Sequence, residues 1–252
     1  MIHFVGAGCG AADLITVRGK GLLEQADVII YAGSLVNPAL LDYRKEGCRV
    51  YDSAKMTLEE VLSVMFDAEA QLLDTVRLHT GDPCLYGAIR EQMDALDKRG
   101  IAYDYCPGVS AFSGAAAALR MEYTLPDISQ SVVITRMAGR TTVPERESVR
   151  AFAAHGATMV LFLSAGLLEK TQTELLLGGY AEDTPAAIVY KASWPDEKTC
   201  LCTVGTLADC ARENGISKIA LIIVGDAVKQ SGYAHSKLYD PTFTTEFRAA
   251  KE

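Results

Sequence analysis

The stretch RLHTGDPCLYG, residues 77–87, decides the fold, because it predicts a buried strand that ends in a tight turn and leads into a helix. Apolar and polar residues alternate before the turn, as they do on a strand. Gly81 permits backbone conformations closed to other residues, and Pro83 fixes φ and has no N–H. Gly-Asp-Pro is also an ordinary turn tripeptide. The rest of the chain is therefore needed to decide whether this turn is an ordinary one or part of a ligand-binding site.

The first half of the chain alternates short apolar runs with helical patterns. Strands are predicted at residues 2–5, 27–31, 48–51, 75–80 and 102–106, and helices near 14–25, 57–72, 87–98 and 110–119. Thr57 and Glu60 have the spacing of a capping box at the start of the second helix. This alternation predicts crossover helices and a mainly parallel sheet.

A polar bend at residues 121–130 contains Pro126 and separates the two halves, which predicts domains 1–122 and 123–252. Further strands are predicted at 131–136, 158–163, 186–190, 199–204 and 219–224, and helices near 145–154, 166–177 and 206–213. The loop KASWPDEK is too short for a crossover, so the strands on either side of it should be antiparallel. The fold class expected is two α/β domains, the first with a mainly parallel sheet and the second with a mixed sheet.

Composition narrows the possible partners and the cellular environment. The net charge of −8 and the pI of about 5.1 argue against nucleic acid and anionic membranes as partners. The seven cysteines form no C-x-x-C pair, which favours reduced thiols and a cytoplasmic protein, and no metal site is predicted. No signal peptide or membrane segment is indicated.

The first loop, residues 6–10, reads Gly-Ala-Gly-Cys-Gly between a strand and a helix, a pattern that can cradle a phosphate. The second strand ends in Tyr31-Ala32-Gly33, without the acidic residue that holds a ribose in nicotinamide enzymes. A nicotinamide-dependent oxidoreductase is therefore a distant alternative, and a noncatalytic nucleotide-sensing module is a third. His79 is interpreted as a hydrogen-bonded histidine near the sheet edge.

Several loop segments follow strand ends of the first sheet and should gather at its carboxyl edge. They read GAGCGAADLITVRGKGLL at 6–23, ADVIIYAGSLVN at 26–37, GDPCLYG at 81–87 and CPGVSAF at 106–112. Together with TRMAGRT at 135–141 and YKASWPDEK at 190–198, they resemble the tetrapyrrole methyltransferase family, which uses S-adenosylmethionine to methylate porphyrinoid and corrinoid rings. The resemblance covers nearly the whole chain.

The second motif narrows the resemblance to one branch of this family. YAGSLVNP and TRMAGRT resemble the branch that methylates carbon 11 of precorrin-4, or of its cobalt-bearing counterpart, in cobalamin biosynthesis. In the uroporphyrinogen branch an acidic residue follows the tyrosine, whereas here Ala32 and Gly33 follow Tyr31. Methylation at another ring position, or of uroporphyrinogen, is the alternative within the family.

The resemblance implies a cofactor cleft between the two domains, a homodimer and a set of site residues. Cys9 stands where the family usually has proline. The residues implied for binding S-adenosylmethionine are Cys9, Gly81, Asp82, Leu85, Tyr86, Ser110, Ala111, Met137, Leu163, Ala165 and Ala192. Small and apolar residues dominate, as suits a ligand held by shape and backbone groups.

Substrate binding and proton removal have separate candidates. Precorrins carry many carboxylates, so an acidic protein needs local arginines to bind them, and Arg136 and Arg140 are the candidates. Asp82, Tyr86 and Tyr31 are candidates for a general base by location. Asp82 more readily fits the role of a carboxylate that caps its own turn.

Overall fold

The computed structural model describes residues 1–251 and consists of two α/β units. The first unit contains residues 1–115 together with 191–197, and the second contains 116–190 together with 198–251. The domain limits predicted from the sequence, 1–122 and 123–252, stay a prediction.

The first unit contains a five-stranded sheet in which every strand pair is parallel. Its order is β3-β2-β4-β1-β5, with β1 Ile2–Gly6, β2 Val28–Tyr31, β3 Arg49–Asp52, β4 Thr75–His79 and β5 Tyr103–Cys106. Gly6 pairs with His79, and Tyr31 pairs with Leu78. The central strands therefore end level with one another, and their loops leave from the same edge.

Helices cover the first sheet because each one buries an apolar stripe. They are α1 Val17–Gln25, α2 Leu58–Ala70, α3 Arg90–Asp97 and α4 Ala111–Leu119, the last of which ends in the second unit. The capping box predicted for α2 is confirmed, since Thr57 Oγ1 accepts from Glu60 N and Glu60 Oε2 accepts from Thr57 N. Val61 and Met65 of α2 pack into the core on one face of the sheet.

The second unit contains a mixed sheet of order β6-β7-β10-β8-β9. Its elements are β6 Val132–Arg136, α5 Val149–Ala153, β7 Thr158–Phe162, α6 Leu168–Leu177, β8 Pro185–Tyr190, β9 Lys198–Thr203, α7 Leu207–Glu213 and β10 Ala220–Val224. The β6–β7 pair is parallel and the other pairs are antiparallel. The predicted fold class and the antiparallel β8–β9 pair are both confirmed.

The main differences from the predicted elements are at helix starts. Helix α3 begins at Arg90 rather than near residue 87, because Tyr86 and Ala88 have φ values of 57° and 50°, which a right-handed helix excludes. Helix α1 begins at Val17, after Thr16 caps it by accepting from Gly19 N. No helix within residues 1–251 has both the length and the apolar character needed to cross a membrane.

Candidate functional site

The loops after β1 and β4 are joined by backbone hydrogen bonds beyond the end of the first sheet. Ala7 N donates to His79 O at 2.7 Å, Gly8 N to Gly81 O at 3.2 Å, and Gly81 N to Gly8 O at 2.9 Å. The first glycine loop and the Gly-Asp-Pro turn therefore form one rigid edge. This confirms the prediction that the two segments gather at the carboxyl ends of the strands.

Glycine is required at this edge because three backbones approach too closely for any side chain. A Cβ added at Gly108 would lie 2.3 Å from Gly81 O and 2.7 Å from Gly6 Cα. Gly81 itself has a φ of +60°, and a Cβ there would lie 3.3 Å from Ala111 N. The first, third and fourth motif loops are thus in direct backbone contact.

Asp82 holds the turn through its carboxylate. Its Oδ1 accepts from Cys84 N at 2.8 Å and from the Tyr105 hydroxyl, and its Oδ2 accepts from Gly108 N at 2.9 Å. Burial acts to raise the pKa of Asp82, but these hydrogen bonds outweigh it and keep the pKa below its usual value. The ionised carboxylate is a turn cap that joins the third and fourth motif loops.

Residues 191–197 belong to the first unit and pack on the glycine-rich loop. Ser193 Oγ accepts from Ala11 N at 3.0 Å and lies 3.4 Å from Cys9 Sγ. A Cβ at Gly10 would lie 2.3 Å from Trp194 Cδ1 and 2.5 Å from Ala192 O. Ser193 and Trp194 were not among the predicted site residues, although the YKASWPDEK motif contains both.

The second motif reaches the same loop through Asn37. Its Nδ2 donates to Gly10 O at 2.9 Å, and its Oδ1 accepts from Ala39 N at 3.0 Å. Tyr31, a predicted base candidate, is half-buried at the end of β2, and its carbonyl accepts from Ser53 Oγ. Asn37 was also missed, and its place in YAGSLVNP was the available signal.

The remaining predicted residues of the first unit differ in exposure. Ser110 is buried next to Gly81, and Ala111 is half-buried at the start of α4. Leu85 is half-buried, while Tyr86 is 43% exposed and has a left-handed backbone. This edge therefore combines buried small residues with an exposed aromatic ring.

His79 differs from its prediction. The ring is 4% exposed, and its Nε2 has no hydrogen-bond partner among the described residues. Burial, with a smaller contribution from the charge of Arg77, lowers the pKa of His79 to about 3. The interpretation as a hydrogen-bonded histidine was therefore wrong for Nε2, and the ring is neutral at physiological pH.

In the second unit, β6 and β7 end side by side, with Arg136 paired to Phe162. Ser164 follows β7 and is fully buried. Its Oγ accepts from Met137 N at 2.9 Å and donates to Phe162 O at 2.7 Å. Ser164 was missed by the sequence analysis, and it joins the two strand ends that carry predicted cofactor residues.

The predicted cofactor residues around Ser164 are of two kinds. Met137 and Ala165 are buried. Leu163 is 65% exposed and has a φ of 51°. An exposed leucine in a left-handed conformation is uncommon, because Cβ crowds the backbone there.

The two predicted substrate arginines have different surroundings. The Arg136 guanidinium donates to Met137 O, Thr141 O and Thr142 O at 3.2, 3.3 and 2.7 Å. Arg140 is exposed at the tip of the same loop. Arg136 thus fixes the loop that presents Arg140.

Within residues 1–251 no group of three or more His, Cys, Asp or Glu side chains is arranged to hold a metal ion.

The predicted cofactor residues fall into two groups. Those of the first unit, including Ala192, lie on loops that contact one another. Met137, Leu163 and Ala165 are grouped within the second unit.

Comparison with known proteins identifies the family. Residues 1–208 match the family of tetrapyrrole (corrin/porphyrin) methylases. The cobalt-precorrin-4 C(11)-methyltransferase of Methanocaldococcus jannaschii is 52% identical over 247 residues, covering 98% of this chain and 95% of that protein. The precorrin-4 C(11)-methyltransferase of a Sinorhizobium species is 45% identical over 252 residues, covering 100% of this chain and 99% of that protein.

A solved structure gives the same result. The X-ray structure of a cobalt precorrin-4 methyltransferase superimposes with a TM-score of 0.88 at 47% identity, covering 90% of this chain and 95% of that one. The sequence match, the fold and the glycine-rich strand-end loops agree, and the chain belongs to the tetrapyrrole methylase family.

Proposed function

We propose that this chain transfers a methyl group from S-adenosylmethionine to carbon 11 of precorrin-4 or cobalt-precorrin-4 in cobalamin biosynthesis. The observation that carries the proposal is the similarity of nearly the whole chain to precorrin-4 C(11)-methyltransferases, at 52% and 45% identity for two of them. The product would be the corresponding precorrin-5 and S-adenosylhomocysteine.

The strand-end residues fit S-adenosylmethionine. Small residues lie at these strand ends, as suits a ligand held by shape and backbone groups, and each unit also exposes an apolar side chain there, Tyr86 in the first unit and Leu163 in the second. We propose that the cofactor is bound by Cys9, Gly81, Asp82, Leu85, Tyr86, Ser110, Ala111, Met137, Leu163, Ala165 and Ala192. The bound cofactor would supply an electrophilic methyl group on sulfur.

The chain's main contribution to the reaction is orientation. In a well-oriented intramolecular system, alignment of nucleophile and electrophile can lower the barrier by about 7–11 kcal/mol. The rigid edge formed by Gly8, Gly81 and Gly108 is suited to this task. The proposal assigns Asp82 to holding the turn, since its carboxylate already accepts hydrogen bonds. Tyr86 and Tyr31 remain the candidates for proton removal.

The proposed substrate contact is electrostatic. The loop after β6 presents Arg140 to solvent, and Arg136 supports that loop through backbone carbonyls. Guanidinium groups bind carboxylates through paired, charge-assisted hydrogen bonds. We propose that Arg140 binds a precorrin carboxylate, and that Arg136 contributes a contact or positions Arg140.

The direct test is turnover with defined substrates. The purified protein is incubated with S-adenosylmethionine and either precorrin-4 or cobalt-precorrin-4. Mass spectrometry should show the gain of one methyl group, and NMR should assign it to carbon 11. Methylation at another carbon, or of uroporphyrinogen instead, would support the alternative within the family.

Ligand titration separates the enzyme classes. Calorimetry should detect S-adenosylhomocysteine binding that survives exhaustive chelation, because methyl transfer from sulfur needs no metal. NAD should not bind. Binding of NAD without S-adenosylhomocysteine would favour the nicotinamide-dependent alternative.

Two further parts of the proposal concern the state of the protein. We propose a homodimer, which light scattering at micromolar concentration tests, and a monomer there would remove this claim without affecting the proposed chemistry. We also propose a cytoplasmic location, supported by cysteine spacing that suggests no disulfide framework.

A further inference from the structure

A buried arginine stands in the middle of the first sheet. Arg77 on β4 is 6% exposed, and among residues 1–251 no carboxylate forms an ion pair with it. Its Nε donates to Gln92 Oε1 at 3.1 Å, and one of its terminal nitrogens donates to Ile30 O at 3.1 Å. Burial lowers the pKa of Arg77 to about 10, so the side chain still carries its charge at neutral pH.

Burying a charge without a counter-ion destabilises the fold, and a leucine or isoleucine in the strand interior would avoid that loss of free energy. Arg77 is therefore expected to have a role other than filling the core. The acceptors of Arg77 show what it joins, because Ile30 lies in β2 just before the YAGSLVN loop and Gln92 lies in α3.

Gln92 continues the connection to a third segment. Its amide is 5% exposed, and its Nε2 donates to Ala88 O at 3.0 Å. Through Arg77 and Gln92, the end of β2 is thus connected to the backbone of the loop between β4 and α3. The part of that loop at residues 83–89, called the 83–89 loop, carries Leu85 and Tyr86.

The 83–89 loop has a conformation that needs external support. Tyr86 and Ala88 both have positive φ values, 57° and 50°, although neither is glycine. A Cβ at Gly87 would lie 2.3 Å from Pro83 O, so the loop folds closely on itself. Non-glycine residues keep a positive φ only where contacts with the surrounding structure hold them in it, and such residues are found most often at functional sites.

We propose that Arg77 and Gln92 are positioning residues, which hold the 83–89 loop so that Leu85 and Tyr86 meet the cofactor and substrate in the geometry that methyl transfer requires. This inference rests on the proposed function. Neither side chain touches the reacting atoms, and both act through the carbonyl of Ala88.

The sharpest test is Gln92→Glu. The carboxylate can still accept from Arg77 and would pair with its buried charge, but it can no longer donate to Ala88 O. The matched control is Gln71→Glu at the end of α2, where Gln71 Nε2 donates to Asp67 O at 2.8 Å, again four residues earlier. Both variants lose one amide donor to a carbonyl four residues earlier, which is that of Ala88 in the loop before α3 for Gln92 and that of Asp67 within α2 for Gln71.

The measurements separate positioning from stability. Hydrogen exchange of the amides in residues 84–89 should become faster in Gln92→Glu at an unchanged melting temperature. S-adenosylhomocysteine affinity should fall about tenfold, as expected for one lost hydrogen bond. The kcat should fall further, by about 100-fold, because small displacements of reacting groups are costly. Gln71→Glu should match the wild type in each measurement.

Equal loop exchange in the two variants and the wild type would overturn the inference, as would an unchanged kcat beside faster exchange. If the wild type neither binds S-adenosylhomocysteine nor methylates a precorrin, the proposed function fails, and the loop-exchange comparison alone then decides whether the pair holds the loop.

A second variant covers the case in which Gln92→Glu does not fold. Arg77→Lys keeps the charge, but a single ammonium lacks the rigid fork that reaches both Gln92 and Ile30. It should give the same faster exchange in residues 84–89 and the same fall in kcat. Wild-type exchange and kcat in a folded Arg77→Lys would overturn the inference.

Discussion

The two units join their strand ends by different means. In the first unit, the loops after β1, β4 and β5 meet through backbone atoms, and glycines at positions 6, 81 and 108 permit the approach. In the second unit, β6 and β7 pair up to Arg136 and Phe162, and one buried hydroxyl, that of Ser164, joins the residues at and beyond these strand ends. The edge of the first unit can form only because its glycines have no side chains, whereas the edge of the second unit, at the ends of β6 and β7, depends on the side chain of Ser164.

This difference teaches where each unit tolerates change. A side chain added to the first edge meets backbone, which cannot move aside without moving a whole loop. The loss of Ser164 leaves a buried N–H without an acceptor, but it displaces nothing. The first edge should therefore respond to substitution with larger losses of ligand binding than the second.

The largest expected effect is for Gly81→Val. The branched side chain would occupy a left-handed backbone position next to Ala111 N. S-adenosylhomocysteine binding should fall at least about 100-fold, equivalent to about 2.7 kcal/mol. Calorimetry measures the affinity, and circular dichroism checks that the protein is folded.

The control for Gly81→Val is Gly100→Val. Gly100 has a similar φ of +65°, but a Cβ there would meet nothing within 4 Å. It should cost about 1–2 kcal/mol of stability from backbone strain, and leave ligand affinity unchanged. Equal affinities in the two variants would show that the Gly-Asp-Pro turn takes no part in cofactor binding.

The second prediction tests whether Arg140, in the second unit, binds a carboxylate of the substrate. Arg140→Ala should raise the KM for the precorrin about tenfold or more, since a hydrogen bond to a charged group contributes about 1.5–3 kcal/mol. S-adenosylhomocysteine affinity should stay the same. The exposed Arg146 supplies the control Arg146→Ala. An unchanged KM and salt response in Arg140→Ala would exclude this arginine from substrate binding.

Arg136→Ala distinguishes support from contact. Its guanidinium bonds hold the loop after β6, so its loss should change S-adenosylhomocysteine affinity through Met137 as well as raising the KM. A raised KM with unchanged cofactor affinity would instead indicate direct contact with the substrate.

Ser164→Ala should have a smaller effect on binding. It leaves Met137 N without its acceptor, which costs about 1–3 kcal/mol of stability, and S-adenosylhomocysteine affinity should fall about fivefold. Ser129 supplies the control, since its Oγ also accepts from a backbone N–H and donates to a carbonyl, at the amino end of β7. Ser129→Ala should lose similar stability with unchanged affinity, and equal losses of affinity would contradict the role of Ser164.

The fold was predictable from sequence because its signals are local. Apolar runs between turn residues located the strands, and the short loop between β8 and β9 indicated their antiparallel pairing. Helix starts were less predictable, since the left-handed conformations of Tyr86 and Ala88 accompany a hydrogen bond from Gln92 to Ala88 O and, through Gln92, a contact with Arg77 on β4. Propensity alone does not report such contacts.

The site was predictable where a motif marks it and unpredictable where a distant residue completes it. Glycine spacing and the resemblance pointed to Gly81 and its neighbours, and the structure joins these loops. Ser193 supports the first loop from 182 residues away along the chain. Arg77 looked like the polar side of an alternating strand, yet it is buried. The contact of Ser193 and the burial of Arg77 both depend on how distant parts of the chain pack together, which the local sequence does not show.

The smallest expected effect is on the pH dependence of the free energy of unfolding, which should differ between a substitution at the first edge and one at the second. The pKa of Asp82 lies below its unfolded value of 3.8, so its carboxylate stabilises the fold above that pH, and the contribution is lost as the pH falls through the folded-state pKa. Asp82→Asn should cost about 1 kcal/mol at neutral pH, because the site is partly exposed, and less below about pH 4. The cost of Ser164→Ala, a neutral change, should not vary with pH. Urea unfolding across this range measures both, and a pH-independent cost for Asp82→Asn would show that its charge does not hold the turn.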